Sequence, residues 1–151
     1  MTRLKYRALL VLAVCAAAAG CGTDFPDTPI VPTPVVITEP PFTGTLAVNG
    51  AASTAFASTT SGRIDVTVMS LQDSNGPAAV GPDGPIRIGL ALGVWNGTVC
   101  GVTVPTLFND NAFVSTVVTG AATGITPLCV RVFDVGKLTE PVTFELSITH
   151  F

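Results

Sequence analysis

Positive charge is scarce in this chain. It has seven Lys and Arg against ten Asp and Glu in 151 residues, and Arg3, Lys5 and Arg7 account for three of the seven. Everything after them carries four cations and all ten acids, a net charge of −6. Nucleic-acid binding needs clustered Lys and Arg to displace counterions, so that class of partner is excluded. Electrostatic docking on anionic lipid heads is excluded on the same ground. Histidine is rarer still, with His150 alone. A serine or cysteine nucleophile would therefore have one candidate base, and it sits at the end of a strand-like run, where a strand-end role is expected. No segment beyond residue 41 keeps a helical period, so no phosphate-binding glycine loop opens a helix. The longest apolar run is the twelve residues Ala8 to Ala19. As a helix it would rise about 18 Å, well short of a hydrocarbon core of ~30 Å, which excludes a stable membrane span.

What is present at the N-terminus has the three parts of an export signal: a basic start, the apolar run, and small residues at its end. Ala18-Ala19-Gly20 stand directly before Cys21, as in a bacterial lipobox. On that reading residues 1–20 are a lipoprotein signal peptide and Cys21 becomes the lipidated first residue, through which the protein is held to a membrane. Ordinary secretion with cleavage near Ala19 is the other reading, and leaves Cys21 a plain thiol. Cys15 is discarded in both. Gly22 stands where some Gram-negative lipoproteins have the Asp that retains them at the inner membrane, which points to the outer membrane of the cell envelope.

Residues 21–41 read as a tether. Pro26, Pro29, Pro32, Pro34, Pro40 and Pro41 fall within it. Proline has no N–H and a fixed φ, so extended polyproline structure is expected there, not helix or sheet. Twenty such residues at ~3.1 Å each would span up to ~60 Å.

Residues 42–151 form one domain with a hydrophobic period of two. Ile86, Ile88, Leu90, Leu92 and Val94 alternate with Arg87, Gly89, Ala91, Gly93 and Trp95. Val142, Phe144, Leu146 and Ile148 alternate with Thr143, Glu145, Ser147 and Thr149, and Ile64, Val66 and Val68 with Asp65, Thr67 and Met69. Leu128, Val130 and Val132 alternate with Cys129, Arg131 and Phe133. Such strands turn one face to a core and the other to water. Weaker candidates are Gly44–Val48, Ser53–Ser58, Val99–Val104 and Phe113–Thr119. Turn chemistry separates the runs, and Asn96-Gly97 signals a two-residue hairpin. Seven or eight short strands of this kind predict an all-β fold, an antiparallel β-sandwich, with a closed barrel as the alternative.

Cys100 and Cys129 are the other cysteines of this domain, and in an exported chain they are expected to form a disulfide. Its ring would constrain the unfolded chain by about 3.5 kcal/mol. A zinc site would need further ligands that the sequence does not supply. Asn109, Asp110, Asn111 and Asp134 offer oxygen ligands of the kind calcium uses. They fit plain turns better, so no metal and no cofactor is expected. The acids Asp65, Asp73, Asp83, Asp110, Asp134, Glu140 and Glu145 show no spacing that pairs two of them for glycoside chemistry. Trp95 could stack on a sugar or anchor a partner. It could equally pack at a sheet edge beside Cys100.

Three segments share a pattern with a known family. Gly44-Thr-Leu-Ala-Val-Asn, Ser53-Thr-Ala-Phe and Gly62-Arg-Ile-Asp-Val-Thr-Val resemble the opening of bacterial pre-peptidase C-terminal domains. Leu128-Cys-Val-Arg-Val-Phe-Asp and Pro141-Val-Thr-Phe-Glu-Leu-Ser-Ile-Thr resemble their closing strands. Leu92-Gly-Val-Trp-Asn-Gly-Thr-Val-Cys departs from the family's Asp-rich central strand, which sets aside a calcium role. The resemblance implies a jelly-roll-like sandwich without catalytic residues, carried as an accessory domain by exported proteins. The expected function is a lipid-anchored, non-catalytic interaction or structural module of the envelope with a protein or glycan ligand. A carbohydrate-binding module, or a small glycan hydrolase, is the alternative.

Overall fold

A computed structural model of the chain describes residues 33, 35–73, 80–81, 84–102, 104 and 107–151. Two antiparallel sheets face each other. The first contains β1 (Ile37–Thr38), β2 (Phe42–Leu46), β4 (Gly62–Asp73), β10 (Val117–Ala122) and β12 (Val142–His150). Strand β12 is its hub, with β1 and β2 in succession along one edge and β4 along the other, followed by β10. The second sheet runs β3 (Ala51–Ser58), β11 (Thr126–Phe133), β7 (Ile88–Trp95) and β8 (Cys100–Gly101), with β9 (Phe108–Ala112) also on β7. A short separate ladder pairs β5 (Val80–Gly81) with β6 (Gly84–Pro85). Eight of these strands have five or more residues, and no α-helix occurs among the described residues. The sandwich is thus the architecture, in two sheets and not one closed barrel.

The core is built from the apolar faces read from the alternation, except at Val94, which the structure leaves exposed at the end of β7. Ile64, Val66 and Val68 of β4, Phe144, Leu146 and Ile148 of β12, Leu90 and Leu92 of β7, and Val130 and Val132 of β11 are all buried in one cluster. In β4 the alternation breaks once. Leu146 pairs with Val68 but Glu145 pairs with Ser70, so Met69 is the extra residue of a β-bulge. The bulge lets Leu71 resume the buried face and leaves Met69 exposed.

Four local expectations are corrected. The small-residue face of β7 does not meet water: Gly89, Ala91 and Gly93 are buried. The Phe133 ring lies where a Cβ on Gly89 would be, and the Gly101 backbone lies where one on Gly93 would be. Glycine there admits a second layer against the outer face of the sheet. Asn109-Asp110-Asn111 is not a turn but the middle of β9, held on β7 with an irregular register that buries Ala112. Asn96-Gly97 does not make a two-residue hairpin. Trp95 pairs with Cys100, so four residues form the loop, and the Asn96 Oδ1 accepts the N–H groups of Thr98 (2.9 Å) and Val99 (2.7 Å). Last, Ile37 and Thr38 pair with His150 and Thr149 of β12, so the end of the proline-rich stretch is sheet and not polyproline. Pairing stops at Pro40 and Pro41, which have no N–H to give.

Candidate functional site

The strap Val35–Pro41 lies on the C-terminal half of β12. The Glu39 N–H donates to the Ile148 carbonyl at 2.9 Å. The Glu39 carboxylate then meets His150, 111 residues away, with Nε2 2.9 Å from Oε1. A carboxylate only accepts, so Nε2 is the donor. The His150 ring is 1% exposed, Nδ1 lies 3.3 Å from the Phe151 carbonyl oxygen, and the ring packs on Phe56 at 5.6 Å between centroids. Its partner carboxylate keeps 28% of its side-chain surface open. The imidazole therefore holds Glu39 from behind while the acid faces outward.

What Glu39 faces is a cleft of about 310 Å³, walled by Glu39 to Thr43 on one side and by Thr54, Ala55 and Phe56 of β3 on the other, with Ile148 also lining it. Side chains of consecutive strand residues point to opposite faces. Three consecutive β3 residues can share one cleft only if the backbone edge of β3 forms the wall. The Phe42 ring stands edge-on to Phe144 at 5.0 Å and fixes the other wall to the core. Glu39 is the single charged residue in this lining. The sequence alone does not reveal the site, because Glu39 lies in the proline-rich stretch and His150 at a strand end. One signal was there: His150 continues the buried parity of Val142, Phe144, Leu146 and Ile148.

The residues singled out from sequence lie elsewhere. Cys21 is outside the described residues. Cys100 and Cys129 form a disulfide between β8 and β11, across β7, and both are buried. Trp95 is half-buried at the end of β7, in register with Cys100. On the alternate positions of that outer face, Phe133 stacks on Phe108 at 5.5 Å and Arg131 sits 5.8 Å above the Phe133 ring.

Of the oxygen ligands considered for calcium, Asn109 and Asp134 accept backbone N–H groups and Asn111 meets a lysine. The Asn109 Oδ1 accepts the Asn111 N–H at 2.9 Å, and the Lys137 Nζ lies 3.4 Å from the Asn111 Oδ1. Asp134 accepts the N–H groups of Gly136, Lys137 and Leu138 on Oδ1 and that of Asn49 on Oδ2. Partial burial raises its pKa, but the four N–H donors outweigh that and hold the carboxyl below its usual value. The carboxylate is thus a clasp that ties the β2–β3 turn to the loop after β11. Asp65 behaves alike. Burial raises its pKa, but the Thr119 hydroxyl (2.6 Å) and the Arg63 guanidinium (2.8 Å) outweigh that and hold it below its usual value. No group of three or more His, Cys, Asp or Glu side chains is placed to hold a metal among the described residues.

No family model matches the chain, and no curated protein matches it.

Proposed function

We propose that this chain is an exported, lipid-anchored, non-catalytic module of the bacterial cell envelope: an anchor at Cys21, a proline-rich spacer, and a β-sandwich that binds a protein or glycan. The observation that carries the reading is the Cys100–Cys129 disulfide. Such bonds persist in oxidising compartments and are rare in the cytosol. An export leader that ends on Ala18-Ala19-Gly20-Cys21 fits a chain built for that compartment. The resemblance to pre-peptidase C-terminal domains fits an accessory role, with the outer membrane as its location. A non-catalytic role also fits His150, whose ring is shut behind Glu39 and away from any substrate.

Metabolic labelling tests the anchor. Radiolabelled palmitate is expected to enter the wild-type protein in its native host and not the Cys21→Ala variant. Equal labelling of the two would overturn the lipid anchor, and two free thiols at Cys100 and Cys129 in the exported protein would remove the argument for export.

A further inference from the structure

Strand β3 is the outer strand of the second sheet. All eight of its residues pair with β11 in an unbroken register, and no described strand pairs with its other side. Natural edge strands are usually protected by a charge, a proline, a bulge or very short length. The β3 sequence Ala-Ala-Ser-Thr-Ala-Phe-Ala-Ser has none of these. In the wall across the cleft, Pro40 and Pro41 offer it no N–H. An unprotected backbone edge therefore borders a concavity whose only charge is the Glu39 carboxylate.

We propose that an extended peptide adds to β3 as a further strand and places a lysine or arginine side chain against Glu39. Strand addition draws affinity from main-chain hydrogen bonds and specificity from pockets for alternate side chains. Both elements are here: the edge of β3 supplies the ladder, and the cleft supplies one pocket. Its volume of about 310 Å³ is at the small end for ligand sites, which suits one long side chain and the backbone that carries it. The charge selects the residue. A cation next to Glu39 gains from a carboxylate already aimed by His150, an anion would be repelled, and an apolar residue would desolvate the acid without return. The proposal deepens the interaction role above and rests on it. Its test is independent of lipidation, so either can fail alone.

The experiment uses the full chain, purified in detergent, and three capped nonapeptides of alternating Thr and Val that differ at the central residue: lysine, norleucine or glutamate. Binding is read by fluorescence anisotropy. The lysine peptide is expected to bind roughly tenfold more tightly than the norleucine peptide, and the glutamate peptide more weakly than either. In Glu39→Gln, whose amide can still accept from His150, lysine and norleucine peptides should become equal. Methylating the peptide nitrogens that face β3 should abolish binding, and circular dichroism melts of the variant check its fold. The proposal is overturned if the lysine peptide shows no saturable binding, if lysine and glutamate peptides bind alike, or if N-methylation changes nothing. Sedimentation showing a dimer that Ala55→Lys dissociates would give the edge to a second copy of the chain and would also overturn it.

Discussion

Removing the disulfide should cost this domain a large share of its stability, and the cost can be worked from where the bridge lies. Cys100 and Cys129 are 29 residues apart. The ring they close leaves the second sheet at β9, crosses to the first sheet at β10, and returns at β11. In the unfolded chain that ring removes about 3.5 kcal/mol of conformational freedom. A domain of this kind has about 5–15 kcal/mol in total, so Cys100→Ala/Cys129→Ala should lose roughly a fifth or more of it. At roughly 3–5 °C per kcal/mol for this size, the melting temperature should fall by roughly 10–18 °C. Urea unfolding of the double variant beside the oxidised wild type measures the loss. The two should differ in slope as well as midpoint, because an unbridged denatured state exposes more surface and raises the m-value. Wild type reduced with a phosphine should behave like the double variant. A loss below about 1 kcal/mol with an unchanged m-value would refute the loop-entropy argument, and would mean that the strand pairing around β7 already supplies the constraint.

Other outcomes follow from single side chains. Asp134→Ala should destabilise the domain by about 2–3 kcal/mol, since it strips a charged acceptor from four backbone N–H groups; an equilibrium melt within 0.5 kcal/mol of wild type, roughly the scatter of ordinary surface changes, would sink the clasp. The same carboxylate sets an acid limit. Its native pKa is lowered, so its contribution is complete above the unfolded value of about 3.9 and is lost as pH falls from there through the lower native value. As pH falls below about 4, wild type should therefore lose stability faster than Asp134→Asn, with Asp65 adding an equal slope to both; parallel curves would contradict this. Gly89→Ala should cost about 1–3 kcal/mol by driving the Phe133 ring off β7, and Phe133→Leu in the same chain should recover part of the loss.

The sandwich was legible because the sequence repeats one simple signal. Strands β4, β11 and β12 alternate large apolar residues with polar ones, and a buried face of period two leaves little else for them to be. Strand β9 was not legible. Asn-Asp-Asn has the local chemistry of a turn, and only pairing with β7 overrides that preference. The buried small face of β7 was hidden for a related reason. Gly89, Ala91 and Gly93 read as solvent-facing until the covering groups, Phe133 and the Gly101 backbone, arrive from distant positions. The cleft was the least visible of all. Its acid lies among prolines and its histidine 111 residues later, and no local pattern joins them. The disulfide was readable because only two cysteines remained to be paired in the domain.

Strand β12 has a consequence for the order of events in making this protein. It lies between β2 and β4 and also holds β1, yet it begins at Val142, some hundred residues after β2 begins at Phe42. Three strands of the first sheet thus wait for a fourth that is synthesised long after them, and contacts of such sequence separation form slowly. On the export proposed above, a chain threaded unfolded through a membrane would gain from that delay. The first sheet would then stay open until its central strand has appeared. Closure of β12 and docking of the strap by the Glu39–His150 contact would then be late steps in folding.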